Sequence, residues 1–221
     1  MPARLRPSAP IAADAILVGD PGRALMLAQE LLERPKMSNH SRGLWGYTGK
    51  SAAGHELTIQ STGMGGPSAS VVLADLAELG VRRAIRIGTC AALGGRSLGE
   101  LVMVSEAHAR QGAFVSPEAT KAPLPDAELT AALRDHLPDA RVGVTVSLDS
   151  LYRPERDLPS ALAEVADMQT ASLFAIADQT EIAVAALLVI SEKSDAGQLR
   201  DEDLAKAAKR AGHAAAAVLS P

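Results

Sequence analysis

Two short segments hold the residue types that could do chemistry. Ser61-Thr62-Gly63-Met64-Gly65-Gly66-Pro67-Ser68 is a glycine-rich turn between an apolar run, Leu57 to Gln60, and a helical pattern from Ser70 to Leu79. Further along, Arg86-Ile87-Gly88-Thr89-Cys90 overlaps a strand-like run, Ala84 to Ile87, that opens into a small-residue turn. Two such turns at the ends of neighbouring strands make a pocket rich in free backbone N–H groups, which is where an α/β protein binds an anion. Arg86 sharpens that reading. A guanidinium inside an apolar run is costly without a partner, so a buried carboxylate or a bound anion is expected beside it. A phosphate would serve, through charge-assisted hydrogen bonds worth ~1.5–3 kcal/mol each.

The remaining candidates divide more evenly between chemistry and scaffolding. Gly19-Asp20-Pro21-Gly22-Arg23 places an arginine in the first turn of a helix, and alone it reads first as an ordinary helix start with a solvated side chain. Ser191-Glu192-Lys193-Ser194-Asp195 follows the last apolar run, at a carboxyl end where α/β sites sit, and reads equally as a charged loop opening the last helix. Cys90 has no histidine close in sequence and reads as a small buried filler before a nucleophile. His40, His55, His108, His136 and His213 show no metal-ligand spacing, so no metal site is expected. Gly63-x-Gly65-x-x-Ser68 imitates a dinucleotide fingerprint. However, Pro67 interrupts it, and Thr89 and Cys90 stand where a ribose-binding acid should close the next strand. There is no Walker A sequence to support a nucleoside triphosphatase.

These residues need a frame, and the apolar pattern supplies one. Strands are expected at Ala15–Val18, Ala84–Ile87, Leu101–Val104, Val142–Val146 and Val184–Ile190, with a hairpin from Tyr47–Gly49 and His55–Gln60. Helices are expected at Arg23–Leu32, Ser68–Leu79, Asp126–Leu137, Ala171–Asp178 and Asp201–Leu219, with a loop from Gln111 to Pro125. Strands alternating with helices argue for an α/β fold with parallel pairs. No low-complexity linker or internal repeat divides the 221 residues, so one domain is expected over the whole chain.

Composition excludes several classes of function. A net charge of −4 gives no footing for a nucleic-acid surface, although a few converging arginines can still dominate one pocket. A single cysteine rules out an intramolecular disulfide and a cysteine-rich zinc site. The longest apolar run, Ile182 to Ile190, is too short to span a membrane, and the N-terminus lacks a signal-peptide core. A cytoplasmic enzyme is the expectation. Aromatics are 2% of the chain, so the core must be built from Ala, Leu, Val and Ile, as suits buried parallel strands under alanine-rich helices.

In order and spacing, the segments resemble the hexameric purine nucleoside phosphorylase and uridine phosphorylase family. The matching stretches are Gly19–Arg23, Arg42-Gly43-Leu44-Trp45-Gly46-Tyr47-Thr48-Gly49, Ser61–Ser68 and Arg86-Ile87-Gly88-Thr89. Later come Ser147-Leu148-Asp149-Ser150-Leu151-Tyr152, Asp167-Met168-Gln169-Thr170-Ala171 and Leu188-Val189-Ile190-Ser191. The resemblance implies a central twisted mixed β-sheet flanked by helices in three layers. It implies reversible phosphorolysis of a nucleoside, with inorganic phosphate as co-substrate and no cofactor. Gly19, Arg23, Arg86 and Thr89 would hold the phosphate, and Arg42 would arrive from the adjacent subunit of a hexamer built as a trimer of dimers. Arg23 and Arg86 would also stabilise the transition state. Met64, Met168, Gln169 and Arg4 fall at the ribose positions. Cys90, Ala91, Leu151, Tyr152, Arg156, Asp167, Ser191 and Glu192 fall at the base, with Glu192 as the acid.

Four departures from the family pattern stand out. Members usually have Met-Glu where this chain has Met168-Gln169, and that glutamate grips the ribose hydroxyls. Glutamine keeps an acceptor but loses the charge, which implies weaker ribose discrimination and tolerance of 2′-deoxynucleosides. No histidine precedes His40 to reach a neighbour's ribose, and Arg4 lies nearest that place. Glu192 stands where purine enzymes often have aspartate, and Ala91 where a glycine usually lines the base pocket. The Ser-Glu element leans toward a purine; Tyr152-Arg153-Pro154-Glu155-Arg156 is similar to the uridine phosphorylase segment, without its glutamine. A water-using nucleosidase has little use for Arg23, Arg42 and Arg86. A non-catalytic binder of a nucleoside or phosphate remains a third reading.

Overall fold

The computed structural model describes residues 4–110, 122–150 and 163–220. Its centre follows from which strands are apolar on both sides. β1 (Asp14–Val18) is buried at every position. Ala15 and Leu17 join the core on one face, and Ile16 and Val18 join the core on the other. A strand buried on both faces belongs in the middle of a sheet. β1 accordingly pairs in parallel with β4 (Glu56–Ser61) and with β5 (Arg83–Ala92).

From β4 the sheet runs outward through β3 (Gly46–Ser51) to the edge strand β2 (Leu32–Asn39), both pairings antiparallel. On the other side β5 pairs in parallel with β9 (Ala183–Lys193). β9 then pairs with β6 (Leu101–Arg110), β6 with β7 (Arg141–Leu148), β7 with β8 (Val165–Asp167), and β8 returns antiparallel to β5. This half of the sheet therefore closes into a ring. A two-residue strand, β10 (Gly197–Gln198), folds back on the end of β9.

Helices cover both faces. α1 (Pro21–Leu31), α3 (Ala127–His136) and α5 (Asp201–Leu219) pack on the Ile16 side. α2 (Gly66–Glu78) and α4 (Thr170–Thr180) pack on the Leu17 side. Small residues set the spacing. Ala208, Ala211, Ala215 and Leu219 recur at helical intervals along the buried face of α5. Gly212 admits α1 so closely that a Cβ there would lie 2.9 Å from Leu27 Cδ2. A chain with few aromatics can build its core this way, by bringing backbones together instead of filling a gap.

The expected three-layer α/β fold with a mixed sheet is what the chain adopts. Three strands have no counterpart among those expected from the sequence. β2 carries Pro35 and several charges, and it is tolerated because it is an edge strand paired only with β3, with register shifts. β8 and β10 are too short to show a period. β9 also runs on through Lys193, so Ser191 and Glu192 belong to a strand end and not to a loop.

Candidate active site

A cavity of about 390 Å³ opens at the carboxyl ends of the central strands. The turn after β1 contributes Gly19, Asp20, Pro21 and Arg23; the turn after β4 contributes Gly63, Met64 and Gly65. The end of β5 contributes Arg86, Gly88, Thr89, Cys90 and Ala91, the end of β8 Asp167, Met168 and Gln169, and the end of β9 Ser191 and Glu192. The two turns singled out in the sequence do not lie on adjacent strands, because β1 runs between β4 and β5. Its own turn is stitched to the glycine-rich one: Thr62 donates to Val18 O through N–H at 2.7 Å and through Oγ1 at 3.1 Å.

Arg86 is the centre of the buried polar network. It is 3% exposed and lies on the same face of β5 as Ala84, toward α2 and α4. Its Nη2 donates to Asp167 Oδ2 at 3.0 Å, its Nη1 to Gln169 Oε1 at 2.5 Å, and its Nε to Thr170 Oγ1 at 3.1 Å. Gly88 makes room for it, since a Cβ there would come within 2.6 Å of Nη2 and 2.7 Å of Cζ. The expected buried carboxylate is Asp167, delivered by the antiparallel course of β8 against β5.

Asp167 is fully engaged, with a side chain that is 0% exposed. Oδ1 accepts from Ser147 Oγ at 2.5 Å. Oδ2 accepts from the backbone N–H groups of Gln169 and Thr170 at 3.2 and 3.0 Å, from Thr170 Oγ1 at 2.5 Å, and from Arg86. The carboxylate thus sits between a guanidinium and the electropositive start of α4. Asp167 lines the cavity at the end of β8, and its two oxygens are spent on Ser147, Gln169, Thr170 and Arg86. Ser147 and Thr170 lie in two of the stretches that match the family pattern, where neither was given a role.

Arg23 is built differently. Asp20 caps α1 by accepting from Arg23 N at 2.6 Å, which fixes the first turn and points that residue toward the cavity. Among the described residues its guanidinium makes no ion pair within 4.0 Å. Burial holds the Arg23 pKa below its ordinary value; Asp20 opposes the shift and the nearby Arg86 adds to it. Two guanidinium groups therefore stand beside one cavity, and among the described residues Arg23 has only the more distant Asp20 charge to set against its own.

At the far wall a register shift between Cys90 and Ala91 leaves Ser191 as the extra residue opposite β5. Bulges of this kind re-aim side chains beside active sites. Ser191 Oγ donates to Cys90 O at 3.4 Å, and Glu192 is exposed, with Gln198 Nε2 3.4 Å from its Oε1. Met64 is 83% exposed at the rim and Met168 is half-buried on the wall.

Residues 14–220 match the family model described as the phosphorylase superfamily. The chain belongs to this family, among its nucleoside phosphorylases. A DeoD-type purine nucleoside phosphorylase of Oceanobacillus iheyensis is 31% identical over 206 residues, covering 85% of each chain. One from Clostridium perfringens is 32% identical over 202 residues, covering 82% of each. A guanosine phosphorylase of Halorubrum lacusprofundi is 30% identical over 86% of this chain and 82% of its own. Among solved structures, uridine phosphorylase from Vibrio fischeri superposes with a TM-score of 0.82 at 23% identity, over 95% of this chain and 92% of its own. Purine nucleoside phosphorylase from Toxoplasma gondii in complex with immucillin-H gives 0.81 at 21% identity, over 95% and 90%.

In this phosphorylase the other expected site residues fall into three groups. Arg42 is exposed, stands at φ 61° inside a 3₁₀ turn (Ser41–Gly43), and does not line the cavity of its own chain. Its loop is clamped by Asn39 Nδ2, which donates to Leu44 O, and by Gln60 Nε2, which donates to Leu44 O at 3.0 Å. Arg4 is also away from the cavity, its backbone N–H on Asp75 Oδ2 at 2.5 Å, so within one chain it does not reach a sugar there. Leu151, Tyr152 and Arg156 lie outside the described residues. Among the described residues no group of three or more His, Cys, Asp or Glu side chains is placed to hold a metal.

Cys90 lines the cavity yet is only 4% exposed. Burial pushes its thiol well up, with the Asp167 charge adding to the shift while Arg86 and Arg96 oppose it. A neutral buried thiol is a poor nucleophile. In the native protein Cys90 is therefore expected to resist iodoacetamide at pH 8 and to react fully once unfolded. Rapid alkylation of the folded form, followed by mass spectrometry, would show otherwise.

Proposed function

We propose that this protein is a purine nucleoside phosphorylase, which converts a purine nucleoside and inorganic phosphate to the free base and (deoxy)ribose 1-phosphate, reversibly. The observation that carries the reading is Arg23, a half-buried guanidinium at the cavity beside Arg86 with no ion pair within 4.0 Å among the described residues. A phosphate dianion fits that deficit, with Gly19 and Thr89 beside it on the cavity wall. Held there, a phosphate oxygen forms a bond to the anomeric carbon as the bond from that carbon to the base nitrogen breaks. The electron pair leaves with the base, and the positive charge that develops on the sugar is stabilised by the phosphate.

The departing base needs a proton or a hydrogen bond, and Glu192, a carboxyl group on the cavity wall, is the group we assign to it. Its exposed side chain, on a bulged strand end and 3.4 Å from Gln198 Nε2, has room to turn toward a ring nitrogen. The purine assignment is supported by relatives at about 30% identity that are named for purine or guanosine phosphorolysis. The exposed Arg42 loop suits delivery to a neighbour's site, as in a cytoplasmic hexamer of three dimers. Among the described residues no helix is long and apolar enough to cross a membrane.

Chromatography of reactions with inosine, guanosine, adenosine and uridine, each with and without phosphate, tests the proposal. Base release that requires phosphate, with a purine preferred, is the expected result. Release without phosphate would make it a hydrolase, and preference for uridine would displace Glu192 from its role. Phosphate binding without any release would leave a binding protein.

A further inference from the structure

Gln169 is 3% exposed, and its amide is closed between a cation and two carbonyls. Oε1 accepts from Arg86 Nη1 at 2.5 Å and stands 3.2 Å from Thr62 Oγ1, whose one proton is shared with Val18 O at 3.1 Å. Nε2 donates to Gly63 O at 2.7 Å and to Gly65 O at 3.3 Å. The polarity is forced, because a guanidinium only donates and a carbonyl only accepts. Both N–H groups are spent on backbone carbonyls and Arg86 holds the oxygen, so the amide keeps no donor for a sugar oxygen. Gly19 closes the space behind: a Cβ there would stand 3.6 Å from Oε1. Gly63 and Gly65, at φ +72° and +82°, hold the loop in a shape that other residues adopt only with strain.

We propose that Gln169 is a positioning residue of the phosphate pocket, tying Arg86 to the glycine-rich loop through a neutral amide, and that its N–H groups serve the loop and not the sugar. The inference rests on the phosphorylase reading for its kinetic consequences, while the lock itself stands on the hydrogen bonds. A carboxylate at this position could not take the same place. It has no N–H for Gly63 O and Gly65 O, so acceptor would face acceptor. It would also set a second negative charge against an arginine already paired with Asp167, weakening the field that holds an anion.

The test uses Gln169→Glu, which keeps the shape and adds a charge, and Gln169→Met, which keeps the length and stays neutral. Calorimetry with inorganic phosphate gives Kd, and steady-state assays give KM for phosphate together with kcat/KM for inosine and 2′-deoxyinosine. Gln169→Glu is expected to weaken phosphate binding ~10–100-fold, the value of roughly one charge-assisted hydrogen bond, and Gln169→Met less. The ratio of inosine to 2′-deoxyinosine efficiency is expected to stay unchanged in both. Intact phosphate binding with a shifted ratio would overturn the inference and return Gln169 to the sugar. Should Gln169→Glu fail to fold, Gln169→Met decides by the same two readouts. If the wild type binds phosphate but releases no base, the phosphorylase reading fails, while the Kd comparison still supports or overturns the positioning role.

Discussion

Replacing Arg23 by alanine is expected to lower kcat/KM for phosphorolysis by ~10²–10³-fold, the usual loss when one preorganised electrostatic group is removed from a reacting centre. Arg86 can compensate only in part, because it is held in place by Asp167, Gln169 and Thr170 and keeps one further N–H on each Nη. Arg23 is the cation left to meet the phosphate as it bonds to the anomeric carbon. The loss should therefore fall on the KM for phosphate as well as on kcat, with the KM for nucleoside changing least. Stability should scarcely change, since relief of the desolvation and of the Arg86 repulsion offsets the lost attraction to Asp20. Arg23→Lys should recover part of the activity, as a point charge without the planar fork. Varying phosphate at saturating inosine measures the effect. An unchanged phosphate KM in Arg23→Ala would place the anion elsewhere.

Much of this arrangement can be read in the sequence, and the rest cannot for identifiable reasons. The long periodic elements, β1, α2, α3 and α5, show because their burial depends on local pattern alone. So does the need of Arg86 for a partner, since an arginine between Ile85 and Ile87 has no solvent to turn to. Which carboxylate would answer was hidden. Asp167 follows Arg86 by 81 positions and reaches it only because a three-residue strand pairs antiparallel to β5. The role of Gly88 was hidden for the same reason, as its lack of a side chain matters only once the guanidinium lies across it. Gln169 shows the opposite case. As a deviation from a family pattern it implied a weaker grip on ribose, but its four partners lie on the β4 turn and β5, and local sequence does not record them.

The Arg86–Asp167 pair sets the largest stability effect expected. Ion pairs this deeply buried contribute little beyond an apolar pair of the same volume, but breaking one side is severe, at about 3–5 kcal/mol, because the other charge stays behind. Asp167→Asn is the sharper test, since it keeps the shape. The amide can present its oxygen to one side only, so its NH₂ must face the Ser147 hydroxyl or the cluster formed by Arg86, Thr170 and the N-terminus of α4. The expected fall in Tm is ~6–20 °C, taking about 2–4 °C per kcal/mol for a domain of this size. Arg86→Met with Asp167→Leu should be less damaging than the sum of its parts, because the double variant removes both charges. Thermal and urea melts of the wild type, the two single variants and the double variant complete the cycle, with Asp167→Asn melted beside them. Additive losses, or an Asp167→Asn melt within ~1 kcal/mol of wild type, would mean that the carboxylate is not what holds Arg86 in the core.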